Sequence, residues 1–186
     1  KPVIHRELGI IDAPFRVDQF ELLAGTSEAI RALNEDGLRV VVVTNQAGVA
    51  RGRLDEPTLD AIHGRMREEL AAGGARVDGV YWCPHHPEEG AEPYRQRCRC
   101  RKPSPGMLQR AASDLGLDLE RSYVVGDSYT DILAGQAVGC RTVLLGRLKC
   151  DSCRLMDEAG AAPDGIASTL WEAVQIIRMW EDPIGN

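Results

Sequence analysis

Two short patterns in this 186-residue chain set metal-ligating side chains in pairs. Cys83 and His85 are one residue apart, as are Cys98 and Cys100, and twelve residues separate His85 from Cys98. Three thiolates and one imidazole form a complete tetrahedral set for zinc, with no position left open for a substrate. The chemistry implied is therefore structural: a metal stapling the loop 83–100, which is rich in Pro, Glu and Gly. His86 is the alternative to His85. Three free cysteines beside a surface histidine are the plainer reading, but free cysteine rarely sits in so polar a loop. Cys140 precedes an apolar run and reads as core. Cys150 and Cys153 form a lone Cys-x-x-Cys, which reads as two plain thiols before it reads as a second metal site.

Three further patterns suit a phosphoryl group. Thr44-Asn45 offers a hydroxyl, a side-chain amide and backbone N–H groups, although such a pair alone is an ordinary turn. Arg101-Lys102 comes directly after the last cysteine of the loop, where a rigidly held cation can offset charge developing on a transferred phosphoryl group. Alone, that pair reads as solvated surface. Gly126-Asp127 is followed by Asp131. Asp127 offers the hard carboxylate oxygen that Mg²⁺ takes. Asp131 either hydrogen-bonds within the site and supports that metal, or serves as a favourable charge on the first turn of a helix.

These groups need elements to position them. Gly25-Thr26-Ser27 predicts a helix start, with Ile30 and Leu33 on one face and Gly37 closing it. Val40–Val43 is a β-branched run that reads as a buried parallel strand. Helical spacing recurs over 57–72, 105–115 and 129–138, each followed by glycine within a residue or so. Val80–Trp82, Ser122–Val125 and Arg141–Leu145 read as strands. Ser168–Glu181 reads as a last helix with Leu170, Val174 and Ile177 inward. Such alternation predicts an α/β fold on a parallel sheet, in which the working groups lie just beyond the carboxyl ends of the strands. Thr44-Asn45-Gln46, Cys83-Pro84-His85 and Gly126-Asp127 all fall there.

The bulk properties bound the rest. The length suits one domain, 1–186, and 44% hydrophobic residues are enough for a core. A net charge of -6 argues against nucleic acid and against an acidic membrane surface as partners. No apolar run has the length of a membrane span or the form of a signal peptide, so the expected place is the cytoplasm. Residue 1 is Lys rather than Met, and an upstream segment is expected.

In order and spacing, Thr-Asn, Arg-Lys and Gly-Asp-x-x-x-Asp resemble motifs II, III and IV of the HAD (haloacid-dehalogenase) phosphatases. The stretches Val41–Gly52, Cys83–Pro87 and Cys98–Met107 look like those of heptose 1,7-bisphosphate phosphatases, from about residue 18 to residue 146. The histidinol-phosphate phosphatases share the metal loop but usually with a shorter span. The resemblance implies a three-layer Rossmann-like fold without a large cap, and a monomeric enzyme of carbohydrate metabolism. The reaction implied is Mg²⁺-dependent hydrolysis of a phosphomonoester on a sugar bisphosphate. It implies Thr44, Asn45, Gln46 and Ala47 around the phosphoryl group, Arg101 on the substrate and Lys102 offsetting charge. Ser128 would sit beside the substrate, where the family often has a basic residue. Asp127 would hold Mg²⁺, and Cys83, His85, Cys98 and Cys100 would hold Zn²⁺. Catalysis in this family starts from an Asp-x-Asp-Gly at the end of the first strand, and no Asp-x-Asp occurs in this chain. Lys1-Pro2-Val3-Ile4 looks like the stretch immediately after that motif, so nucleophile and first strand are expected upstream of Lys1. Asp12 and Asp18 lack a strand before them. A small-molecule phosphatase of another substrate is the alternative within the fold. A non-catalytic phosphate-binding protein is the alternative outside it.

Overall fold

The computed structural model describes residues 15–146 and 156–182. Asp12, Cys150 and Cys153 lie outside them. After a short 3-10 turn (Val17–Gln19) come α1 (Thr26–Glu35), β1 (Val41–Asn45), α2 (Ala47–Ala50), α3 (Glu56–Ala72) and β2 (Gly79–Cys83). Next along the chain are α4 (Gly106–Leu115), β3 (Tyr123–Gly126), α5 (Tyr129–Gln136), β4 (Arg141–Leu145), β5 (Gly165–Ala167) and α6 (Leu170–Glu181). Local chemistry explains the starts. Asp55 caps α3 by accepting from Thr58 N–H at 2.9 Å, with Pro57 in the first turn. Thr169 caps α6 in the same way through Glu172 N–H.

All strand pairings are parallel. β1 pairs with β2, while β3, β4 and β5 form a second group in that order. Side chains alternate across the sheet, so each strand serves two helix layers. Val42, Val80 and Trp82 pack with Ile30, Leu59, Ile62 and Met66 of α1 and α3. Tyr123 and Val125 join Val174 and Ile177 of α6 on the same side. On the opposite face, Ile132 of α5 packs with Leu144, and Gly135 of α5 lets that helix close on Val124. The expected three layers are present. Among the described residues the sheet is in two parts: a cavity of about 430 Å³, lined by Val40–Val43, Tyr123–Val125, Leu33 and Ile177, lies between β1 and β3. For that reason Val41, Val42 and Val43 are only half-buried, where their composition predicts full burial. Lys102 and Asp131 also border this cavity.

The predicted elements recur within a residue or two, the last helix starting at Leu170. The 3-10 turn, α2 and β5 are elements that no sequence pattern announced. Among the described residues no helix is long and apolar enough to cross a membrane.

His63 lies on the core face of α3 and is 6% exposed. Burial, reinforced by Arg67 and opposed by Asp60, lowers its pKa from 6.5 to about 4. The unfolded chain therefore takes up this proton near pH 6.5 and the folded one only near pH 4. The stabilisation is complete above about 6.5 and is lost as pH falls towards 4, by an amount on the order of 2–3 kcal/mol. Urea unfolding at pH 7 and 4.5 checks this. His63→Leu should flatten that decline; an unchanged slope counts against His63 as its source.

Candidate active site

β1 and β2 run in register, with Asn45 opposite Cys83. The phosphate motif and the first metal ligand thus end neighbouring strands, and Gln46 N–H donates to the Cys83 carbonyl at 2.8 Å. Beyond that edge the four metal-ligating groups converge. Their donor atoms all lie within 4.8 Å of one another. The Cys83–Cys98, Cys83–Cys100 and Cys98–Cys100 sulfur separations are 3.5, 3.1 and 3.2 Å. His85 Nδ1 lies 3.5 Å from Cys83 Sγ and 3.4 Å from Cys100 Sγ. A tetrahedron with zinc–sulfur bonds of about 2.3 Å has edges of about 3.8 Å, so a slight expansion fits the ion. His86 is excluded as a ligand through Nδ1, which accepts from the backbone N–H groups of Glu88 and Glu89. Burial, then the hydrogen bond with Cys100, pushes the Cys83 thiol well up. Metal uptake must therefore displace its proton. The loop lies against α2: a Cβ on Gly90 would come within 2.0 Å of the Ala50 carbonyl oxygen, and φ there is +87°.

The metal loop leads straight into Arg101-Lys102. One Arg101 Nη donates to the His85 carbonyl at 3.0 Å, so part of its guanidinium is bound to the loop. Lys102 is 6% exposed. Its ammonium donates to the Val43 carbonyl at 2.8 Å and forms an ion pair with Asp131 Oδ1. The other carboxylate oxygen of Asp131 accepts from Ser128 N–H at 3.1 Å, while Ser128 Oγ caps α5. Asp131 thus bonds Lys102 with one oxygen and sits as a charge at the start of α5 with the other. Gly126 is required beside it, since a Cβ there would meet the Asp131 carboxyl at 2.4 Å.

The other expected residues lie at or near the same edge. Thr44 is 3% exposed, and its hydroxyl accepts from Gln46 Nε2 at 3.1 Å. Ala47 opens α2, half-buried. Asp127 is exposed, just past the end of β3. Asp18 is exposed on the 3-10 turn and paired with Arg16, away from this edge. One group was not foreseen. The Asn45 side chain bonds the main chain of Lys102 in both directions, Nδ2 donating to its carbonyl and Oδ1 accepting from its N–H, each at 3.0 Å. Spacing along the chain gives no sign of a contact between residues 57 apart.

A family profile for HAD-hydrolase-like proteins matches residues 99–173. The D-glycero-beta-D-manno-heptose-1,7-bisphosphate 7-phosphatase of Escherichia coli K12 is 38% identical over 167 residues, 90% of this chain and 86% of that protein. The enzyme of the same name from Salmonella typhi is 43% identical over 131 residues, 70% of each chain. In three dimensions the chain is similar to the D,D-heptose 1,7-bisphosphate phosphatase of B. bronchiseptica, solved with magnesium and phosphate. The TM-score is 0.77 at 32% identity, over 96% of this chain and 93% of that one.

Lys102 and Asp131 are both almost fully buried. Removing one charge of such a pair leaves the other uncompensated, at a cost of about 3–5 kcal/mol. Asp131→Asn should lower the unfolding free energy by about 3 kcal/mol in urea titrations. A loss under about 1 kcal/mol, the worth of an exposed pair, would mean that the ammonium is solvated.

Proposed function

We propose a reaction from the premise that this chain belongs to the heptose-1,7-bisphosphate phosphatases of the HAD type: it hydrolyses the C7 phosphate of D-glycero-β-D-manno-heptose 1,7-bisphosphate in the presence of Mg²⁺. The observation that carries the reading is the convergence of Thr44, Lys102 and Asp127 at one edge. A buried hydroxyl and an exposed carboxylate lie at the ends of β1 and β3, and the buried Lys102 ammonium reaches the Val43 carbonyl of β1. Histidinol phosphate is not favoured, because relatives matched over 90% of this chain carry the heptose name.

Each residue then has a role. Thr44 Oγ accepts from Gln46, so its one proton is left for a phosphoryl oxygen. The Lys102 ammonium offsets charge on the transferring group. Asp127, with Asp131 close behind, suits Mg²⁺, which takes few protein carboxylates and keeps several waters. When bound, that ion supplies further positive charge to the phosphoryl oxygens. Gln46 and Ala47 border the phosphoryl loop, while Arg101 and Ser128 face the sugar side. On this reading the nucleophile is an aspartate carboxylate presented at the edge where β1 and β3 end. Its carboxylate oxygen attacks phosphorus, and the bond from phosphorus to the C7 oxygen breaks. An aspartate two residues further on protonates that oxygen. The same aspartate then takes a proton from water, whose oxygen attacks the phosphoryl group and frees orthophosphate and the nucleophile. The enzyme is read as a cytoplasmic monomer.

The test is phosphate release by the complete natural protein in Mg²⁺. The kcat/KM for heptose 1,7-bisphosphate should exceed that for histidinol phosphate by about 100-fold or more, a gap of about 3 kcal/mol. A preference for histidinol phosphate would overturn the substrate. The resident metal of the Cys83, His85, Cys98 and Cys100 cluster is zinc on the same reading. Metal analysis should find one zinc per chain, and Cys98→Ser should lose most of it. Stoichiometric zinc in that variant would sink the ligand set.

A further inference from the structure

Asn45 spends its side chain on Lys102. A carboxamide has one acceptor oxygen and two donor hydrogens on its nitrogen. Here the oxygen takes the Lys102 N–H and the nitrogen gives to the Lys102 carbonyl, both at 3.0 Å. The amide thus behaves as one residue of a strand would towards a partner, exchanging both bonds with a single residue. The Lys102 ammonium then returns to the same strand, to the carbonyl of Val43, two residues before Asn45. Main chain and side chain of Lys102 are both tied to the end of β1. The turn leading to it carries Cys98 and Cys100, which converge with Cys83 and His85, and Asn45 itself faces Cys83 in the ladder.

We propose that Asn45 is a positioning residue for Lys102: its amide clamps the Lys102 main chain so that the ammonium reaches its place at the end of β1. This replaces the expectation that the Asn45 side chain holds the phosphoryl group, and it rests on the reading of Lys102 as the cation that offsets phosphoryl charge. A long lysine has many rotamers, and fixing its backbone lowers what must be ordered when substrate arrives. A misplacement of about 1 Å at such a group costs on the order of 100-fold in rate.

A double-mutant cycle in the complete protein tests this, with Asn45→Ala, Lys102→Met and the pair assayed on heptose 1,7-bisphosphate and on p-nitrophenyl phosphate. Asn45→Ala should lower kcat by about 10- to 100-fold and move KM by less than about threefold. A residue that works through Lys102 has little left to lose once Lys102 is gone, so the pair should match Lys102→Met within about twofold. Multiplying losses would mean that the Asn45 amide touches the phosphoryl group itself, and would overturn the proposal. Amide hydrogen exchange gives a readout that needs no turnover. The Lys102 N–H should exchange at least about tenfold faster in Asn45→Ala, and unchanged protection would also overturn the clamp. Wild-type activity on p-nitrophenyl phosphate but not on the heptose would sink the substrate reading alone and leave the cycle to decide the clamp.

Discussion

The ammonium of Lys102 is the group on which the two halves of this fold depend. It donates to Val43 in β1 and pairs with Asp131 on α5, the helix after β3. One cation therefore bridges strand groups that have no ladder between them among the described residues. A buried ammonium is tolerated only when its charge is paired and its hydrogens are used. The partners must be in place together, which fixes how far apart β1 and α5 can be. Asp131 is held in turn by the Ser128 N–H and by the bare Gly126 backbone. Loss of any of these unsettles the charge rather than a single contact.

The metal loop answers to the same constraint. A lysine in a turn after a polar, proline-rich loop would sample many positions. Three thiols and an imidazole drawn within 4.8 Å replace the hydrophobic core that such a loop cannot build. Cys98 and Cys100 lie within four residues of Lys102, and Cys83 ends the strand beside β1. The staple therefore acts at both ends of the short path from β2 back to β1. Arg101 adds a second tie through the His85 carbonyl. The Cys/His cluster and Lys102 are thus tied to the same strand ends.

Much of this was legible in the sequence, for definite reasons. The helices were marked by glycines at their ends and by apolar residues at helical spacing, and β1 by its valine run. The metal ligands were legible because close pairs of Cys and His have few other uses. β5 was not, since three residues, Gly165–Ala167, are too few to show a period. The half-burial of Val41–Val43 was missed because composition reports what a strand is made for, not which edge is covered. The Asn45 contact was missed because a side-chain amide bonded to a distant backbone leaves no spacing to read. Asp131 had two readings in sequence; the structure shows its carboxylate bonded to Lys102 and to the start of α5, since its two oxygens face different partners.

The cavity between β1 and β3 is the remaining physical problem, and its lining indicates the kind of solution. Val40–Val43, Val124 and Val125 give it apolar walls, and the buried Lys102 and Asp131 stand at its border. Strands on both sides also carry main-chain groups that need partners. On the proposed reading a further parallel strand meets both demands, giving apolar side chains to the layers and a ladder to each edge. Its carboxyl end would lie where β1 and β3 end, beside Thr44, Lys102 and Asp127. On that reading the fold's place for a central strand and the chemistry's need for a nucleophile converge on one segment beside Lys102 and Asp131, which border the cavity.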